Sequence, residues 1–161
     1  MLYYLSLGAN LGNREDTILR AVELLQATQG GQSPLCGLSS FYYSPADGFE
    51  SEHKFCNCCA VVTSELEPLD FLHLTQRVEL QLGRKRKSEG DKHFDREIDI
   101  DILLAFPTPL SSTHKTDSLS VPNLIHSSLH LSSAELTLPH PKMQERGFVM
   151  GPLQEILQKN A

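Results

Sequence analysis

The chain has 161 residues, of which 40% are hydrophobic and 21% charged, with a formal net charge of −6. Those proportions belong to a globular protein long enough to bury a core, and they exclude a disordered chain. The acidic balance argues against general nucleic-acid binding, and no apolar run nears the roughly 20 residues that span a bilayer. Leu2 to Leu7 reads as a first strand, ending in the loop Gly8–Asn13. Asn13 is placed to cap a helix, with Asp16 in the capping-box position. Ile18, Ala21, Val22 and Leu25 form its apolar stripe, and Gly30-Gly31 stops it. A second strand is expected from about Leu38 to Tyr43, broken by turn chemistry at Ser44–Phe49, and a third from about Phe55 to Thr63. Pro68 opens a second helix with the stripe Phe71, Leu74, Val78 and Leu82, and Gly83 closes it. Gln76 and Glu79, three apart, are expected on another face of that helix.

The stretch Arg96–Leu104 alternates strictly, the pattern of a half-buried strand. Ile98, Ile100 and Ile102 point to a core, so Asp99 and Asp101 stand together on the opposite face. Neighbouring carboxylates resist joint ionisation unless a cation lies between them. Mg²⁺ suits such a site, since it takes one or two carboxylates plus substrate phosphates. The run Arg84-Lys85-Arg86-Lys87 and Arg96 supply cations nearby, and carboxylate-held metal with guanidiniums is the equipment of phosphoryl transfer. A solvated polar edge and a solvated basic face are the plain alternatives. No P-loop sequence is present.

The order strand, helix, strand, strand, helix, strand is that of an α+β ferredoxin-like β-α-β-β-α-β sandwich, an antiparallel sheet with helices on one face. Beyond it, about 106–133 dissolves into Pro, Ser, Thr and His and reads as a surface insertion. Leu136–Pro141, Arg146–Met150 and a short helix ending near Gln158 form a C-terminal extension. A single domain over 1–161 is expected, without internal repeats. Cys36, Cys56, Cys58 and Cys59 lack CxxC spacing and read as reduced thiols, with Cys58 and Cys59 on opposite sides of a strand. His126 and His130 read as surface. The N-terminus lacks the basic region of a secretory signal, so a cytoplasmic location is expected.

Several segments together resemble the 6-hydroxymethyl-7,8-dihydropterin pyrophosphokinases of folate biosynthesis. They are Leu5–Gly12, Ser39–Tyr42, Phe55–Asn57, Thr75–Glu79, Gly83–Arg86, Arg96–Asp101, and Leu138–Pro141 followed by Arg146–Phe148. The resemblance implies transfer of diphosphate from ATP to the pterin hydroxymethyl group, leaving AMP. It implies that Asp99 and Asp101 hold two Mg²⁺ ions and form the catalytic set with Arg84 and Arg96. Arg86, His140 and Arg146 match phosphate contacts, while Gln76, Glu79 and the Ile102 backbone match nucleotide neighbours. The pterin is expected between the rings of Phe55 and Phe148, with the Asn57 amide on its polar edge and the Ser44, Pro45 and Asp47 stretch alongside.

The chain departs from this pattern in three places. It has no tryptophan for the loop after Arg86, where His93 or Phe94 could substitute. Glu135 stands where relatives can carry an arginine near the nucleotide. The insertion at about 106–133 adds a segment beside the site. Two other functions fit parts of the pattern: another Mg²⁺-dependent phosphoryl or nucleotidyl transferase, and a non-catalytic ferredoxin-like ligand-binding module. The partners implied are ATP and the pterin, with no membrane and no nucleic acid, and a monomer is the default.

Overall fold

The computed structural model describes residues 1–27, 35–45, 54–83, 98–107 and 120–159. Strand β1 (Leu2–Ala9) runs antiparallel to β4 (Phe55–Thr63) on one side and to β5 (Asp99–Phe106) on the other. Strands β2 (Leu35–Leu38) and β3 (Tyr42–Ser44) both pair with β4, so the sheet runs from β2 and β3 through β4 and β1 to β5. Helix α1 (Arg14–Ala27) follows β1, and α2 (Pro68–Gln81) follows β4. This is the antiparallel ferredoxin-like order that the sequence pattern predicts.

Local chemistry explains the helix ends. The Asp16 N–H donates to Asn13 Oδ1 at 3.2 Å, and Ile18, Ala21, Val22 and Leu25 are buried. Pro68 starts α2, and Gly83 after it adopts φ 100°, a conformation that favours glycine. Glu79 corrects the expected face: it is buried at 4% exposure on the same side as Thr75 and Val78, in line with the apolar stripe.

The single strand expected from Leu38 to Tyr43 is two short strands separated by Ser39–Phe41. Ser39 stays on the sheet through its N–H to Cys59 O at 2.9 Å and the Cys59 N–H to its Oγ at 2.8 Å. Ser40 leaves it, donating its N–H to Glu155 Oε2 at 2.7 Å.

Helices cover both faces of the sheet, not one. One core holds Tyr3, Leu5 and Leu7 with Ile98, Ile100 and Ile102 against α1 and α2, where Tyr3 and Phe71 stack at 4.0 Å. The second holds Leu2, Tyr4, Cys59 and Val61 with Leu103, Leu104 and Phe106. It is covered by α3 (Val121–Ser127) and α4 (Gly147–Lys159), which contributes Val149, Leu153, Ile156 and Leu157. Cys58 and Cys59 do face opposite cores. Residues 120–133, where the sequence offered no pattern, contain α3 and β6 (Leu131–Ser132), which pairs with β7 (Thr137–Leu138).

These later segments also close the outer edge of β5. The Leu129 N–H donates to Ala105 O at 2.8 Å and the His140 N–H to Leu103 O at 2.9 Å. An uncovered strand edge invites pairing with other chains, so a covered edge also restrains aggregation.

Candidate active site

The polar residues of the sheet gather at one end of the α4 face. Cross-strand partners share a face, so the pairings put Tyr42, Asn57, Gly8 and Asp99 in one row, one residue from each of β3, β4, β1 and β5. The next row inward on that face is Cys59, Ser6 and Asp101. Along β1 the side chains taper as Tyr4, Ser6 and Gly8, so packing gives way to space as the strand nears this end.

Asn57 is 3% exposed, and its Nδ2 donates to Ser44 Oγ at 2.9 Å and to Tyr42 O at 3.3 Å. Gly8 leaves it room: a Cβ there would meet Asn57 Oδ1 at 3.0 Å and the Phe55 ring at 3.7 Å. Phe55 and Ser44 pair directly at the outer end of the hairpin, with Pro45 exposed beside them.

The segment before α4 supplies the cations. Arg146 Nη1 lies 3.9 Å from Asp101 Oδ2, and its guanidinium carbon is 5.8 Å from the centre of the Phe148 ring. The backbone bond to Leu103 fixes His140, whose Nδ1 accepts the Lys142 N–H at 3.2 Å. That bond puts the remaining ring proton on Nε2. Burial, then the Arg146 charge, push the His140 pKa down to about 4 against the opposing pull of Asp99. The imidazole is therefore a neutral donor near neutral pH.

Both aspartates are partly exposed, and their oxygen donors suit a hard cation completed by ligand oxygens and water. Among the described residues, no group of three or more His, Cys, Asp or Glu side chains could hold a metal by itself. Glu79 lies behind the pair: its Oε2 accepts the N–H of Ile100, the residue between them, at 3.1 Å. Ile102 is buried, so only its backbone could meet a ligand, and Gln76 is half-buried on α2. Glu135 Oε2 accepts from His73 Nε2 at 2.8 Å, at the exposed outer surface of α2. Arg84, Arg86, Arg96, Asp47, His93 and Phe94 lie outside the described residues.

Ser6, Gly8 and Tyr42 escaped the sequence reading as site residues. The taper of Tyr4, Ser6 and Gly8 on one strand face was the available signal for the first two. Nothing local marks Tyr42, whose hydroxyl reaches Glu155 at 3.0 Å across 113 positions of sequence.

Residues 4–158 match the model of the 7,8-dihydro-6-hydroxymethylpterin-pyrophosphokinase family. The chain belongs to that family. A 2-amino-4-hydroxy-6-hydroxymethyldihydropteridine pyrophosphokinase of Porphyromonas gingivalis is 42% identical, over 96% of this chain and 90% of its own length. The protein of that name in Bacillus subtilis is 32% identical, over 97% of this chain and 78% of its own. A solved chain described as HPPK-DHPS in complex with substrates superposes with a TM-score of 0.61 at 14% identity, a likeness of fold alone. That alignment covers 97% of this chain and 40% of the other. Among the described residues of this pyrophosphokinase, no helix is long and apolar enough to cross a membrane.

Proposed function

We propose that the chain transfers the β,γ-diphosphate of ATP to the hydroxymethyl oxygen of 6-hydroxymethyl-7,8-dihydropterin, giving AMP and the pterin diphosphate ester of folate biosynthesis. The observation that carries this reading is the row in which Asn57 and Asp99 flank Gly8. Two strand spacings separate the amide from the carboxylate, roughly 10 Å. A bicyclic ring with its hydroxymethyl arm fills such a span. It would set the ring's polar edge at Asn57 and its reacting oxygen near the aspartates.

In this reading, Phe55 and Phe148 offer the faces for ring stacking. The Ser44, Pro45 and Asp47 stretch borders the pterin. Asp99 and Asp101 hold Mg²⁺, two ions in the full reading, which when bound neutralises charge on the triphosphate. Arg146, with Arg84, Arg86 and Arg96, grips phosphate oxygens, and guanidiniums do so with paired hydrogen bonds. His140 donates from Nε2 as a neutral group. Gln76, Glu79 and the Ile102 backbone border the nucleotide. The hydroxymethyl oxygen forms a bond to the β-phosphorus as the bond from that phosphorus to the α-phosphate oxygen breaks. AMP leaves with that oxygen, and the hydroxyl proton passes to water. The buried thiols of Cys56, Cys58 and Cys59 support a reducing cytoplasmic setting.

The deciding experiment incubates the protein with ATP, Mg²⁺ and the pterin and resolves the products. One AMP per pterin diphosphate is the expected result. Pyrophosphate or free phosphate would place the chain among other phosphoryl enzymes, and intact ATP would leave only ligand binding.

A further inference from the structure

We propose that the first turn of α1 is a positioning element for the pterin site, acting from the opposite face of the sheet. The inference rests on the function proposed above, which places Ser44 and Phe55 at the pterin. Arg14 and Glu15 grip the residues next to these two. Arg14 Nη1 donates to Lys54 O at 2.7 Å, one residue before Phe55. The Tyr43 hydroxyl donates to Glu15 Oε1 at 2.7 Å, one residue before Ser44. The Arg14 guanidinium lies 5.3 Å from the centre of the Tyr43 ring, and its Nη2 is 3.8 Å from Glu15 Oε1.

Successive strand residues point to opposite faces. Tyr43 therefore reaches α1 while its neighbours Tyr42 and Ser44 face the ligand side, where Ser44 receives the Asn57 amide. Both strands of the hairpin are held by one helical turn, one by a side chain and the other by its main chain. That turn is tied in its own right, because Asn13 caps it and the chain leads back within a few residues to Gly8, which packs against Asn57. The clamp holds β3 and the residue before β4, and β1 separates β4 from the strand that carries the aspartates. It should thus govern how well the pterin is seated without touching the nucleotide.

The test compares wild type with Arg14→Ala, Tyr43→Phe and Arg14→Lys. Steady-state AMP release is measured with ATP and pterin varied separately. Arg14→Ala and Tyr43→Phe should raise the KM for pterin by roughly 3–10-fold, the scale of a small misplacement of a binding element, with the KM for ATP unchanged. Arg14→Lys, which can still donate to the Lys54 carbonyl, should recover part of the loss. An unchanged pterin KM in Arg14→Ala overturns the proposal, as does an equal loss for both substrates, which marks general unfolding. Hydrogen exchange of the ligand-free proteins keeps this separate from the function itself. Faster exchange confined to 42–44 and 55–57 in Arg14→Ala supports the clamp even if wild type releases no AMP. Unchanged exchange there overturns it.

Discussion

Glu79 accepts the Ile100 N–H at 3.1 Å, so a carboxylate from α2 holds the backbone between Asp99 and Asp101. β5 is the edge of the sheet, and this N–H is met by a side chain instead of another strand. Removing the acceptor leaves a buried donor unsatisfied, which costs about 1–3 kcal/mol. Glu79→Leu should lower stability to urea by that amount and also slow AMP release, because the aspartates lose their support. Glu79→Gln retains an acceptor and should fall between Leu and wild type. Equal stability of all three would show that the bond contributes nothing.

Asp99→Asn and Asp101→Asn should each reduce AMP release by about 10²–10³-fold or more, the scale of losing a charge-stabilising group. Both side chains are partly exposed, so the melting temperature should hold or rise as carboxylate repulsion is relieved. Chelation of divalent ions should stop the wild type, and added Mg²⁺ should restore it. Full turnover in either variant would remove the metal assignment.

Gly8→Ala should raise the pterin KM by roughly tenfold, less than the roughly 10²-fold of a 1 Å misplacement, because Asn57 needs to give by only a few tenths of an ångström. The new methyl would press on Asn57 Oδ1 at 3.0 Å and touch the Phe55 ring. The backbone at Gly8 is ordinary strand, so the effect is steric crowding and not strain. Titrating ATP against the same variant should give an unaltered KM, and a shift there would point to wider distortion.

Burial alone would raise the Glu155 pKa, but bonds from Lys159, Ser40 and Tyr42 together draw it down to about 2. A carboxylate depressed in the folded state contributes stability above its ordinary value near 4.5, and loses it as pH falls through the folded value. The contribution should therefore vanish between about pH 4.5 and pH 2. With screening at the surface it is on the order of 1 kcal/mol. Melting curves of wild type and Glu155→Gln should differ above pH 5 and converge near pH 2. Parallel curves throughout would rule out this clamp.

His140 should titrate near pH 4, not near 6.5, with its proton on Nε2 above that point. Because the unfolded chain takes up this proton first, the residue makes the fold less stable as pH falls from about 6.5 to 4. Nitrogen chemical shifts of the ring, followed from pH 8 to pH 3.5, measure both the tautomer and the midpoint. A midpoint near 6.5 would mean that the ring is solvated.

Most of the sandwich was legible because both early helices carry a clean apolar stripe and turn residues bound the strands. β4 is observed over the range Phe55–Thr63 that was expected, and the α1 stripe is the set of buried residues. What escaped depends on partners far along the chain. Ser40 turns away from the sheet toward Glu155, and Leu129 returns to Ala105, contacts that no window of a few residues contains. Glu79 was assigned to another face through its three-residue spacing from Gln76, although it also lies eight residues after Phe71 and four after Thr75 on the buried side. The aspartate pair and Asn57 were legible as polar residues in apolar strands. Their common face with Gly8 and Tyr42 became visible only through the register of four strands.

The pairing of Tyr4 with Leu104 and of Leu5 with Ile102 leaves Leu103 as an extra residue in β5. Before it, the strand shows aspartates to α4 and isoleucines to α2. After it, Leu104 and Phe106 lie on the α4 side and Ala105 on the other. The strand therefore works like a text with a shift of frame in the middle. Paired regularly, without setting Leu103 aside, the same residues would force one half to exchange faces, carrying either the carboxylates toward Tyr3 and Phe71 or Phe106 out of its core. Removing the extra letter at 103 would leave every other side chain on its present face, whereas removing one from either half changes the sense of everything beyond it. Where β5 loses a residue should matter more than that it loses one.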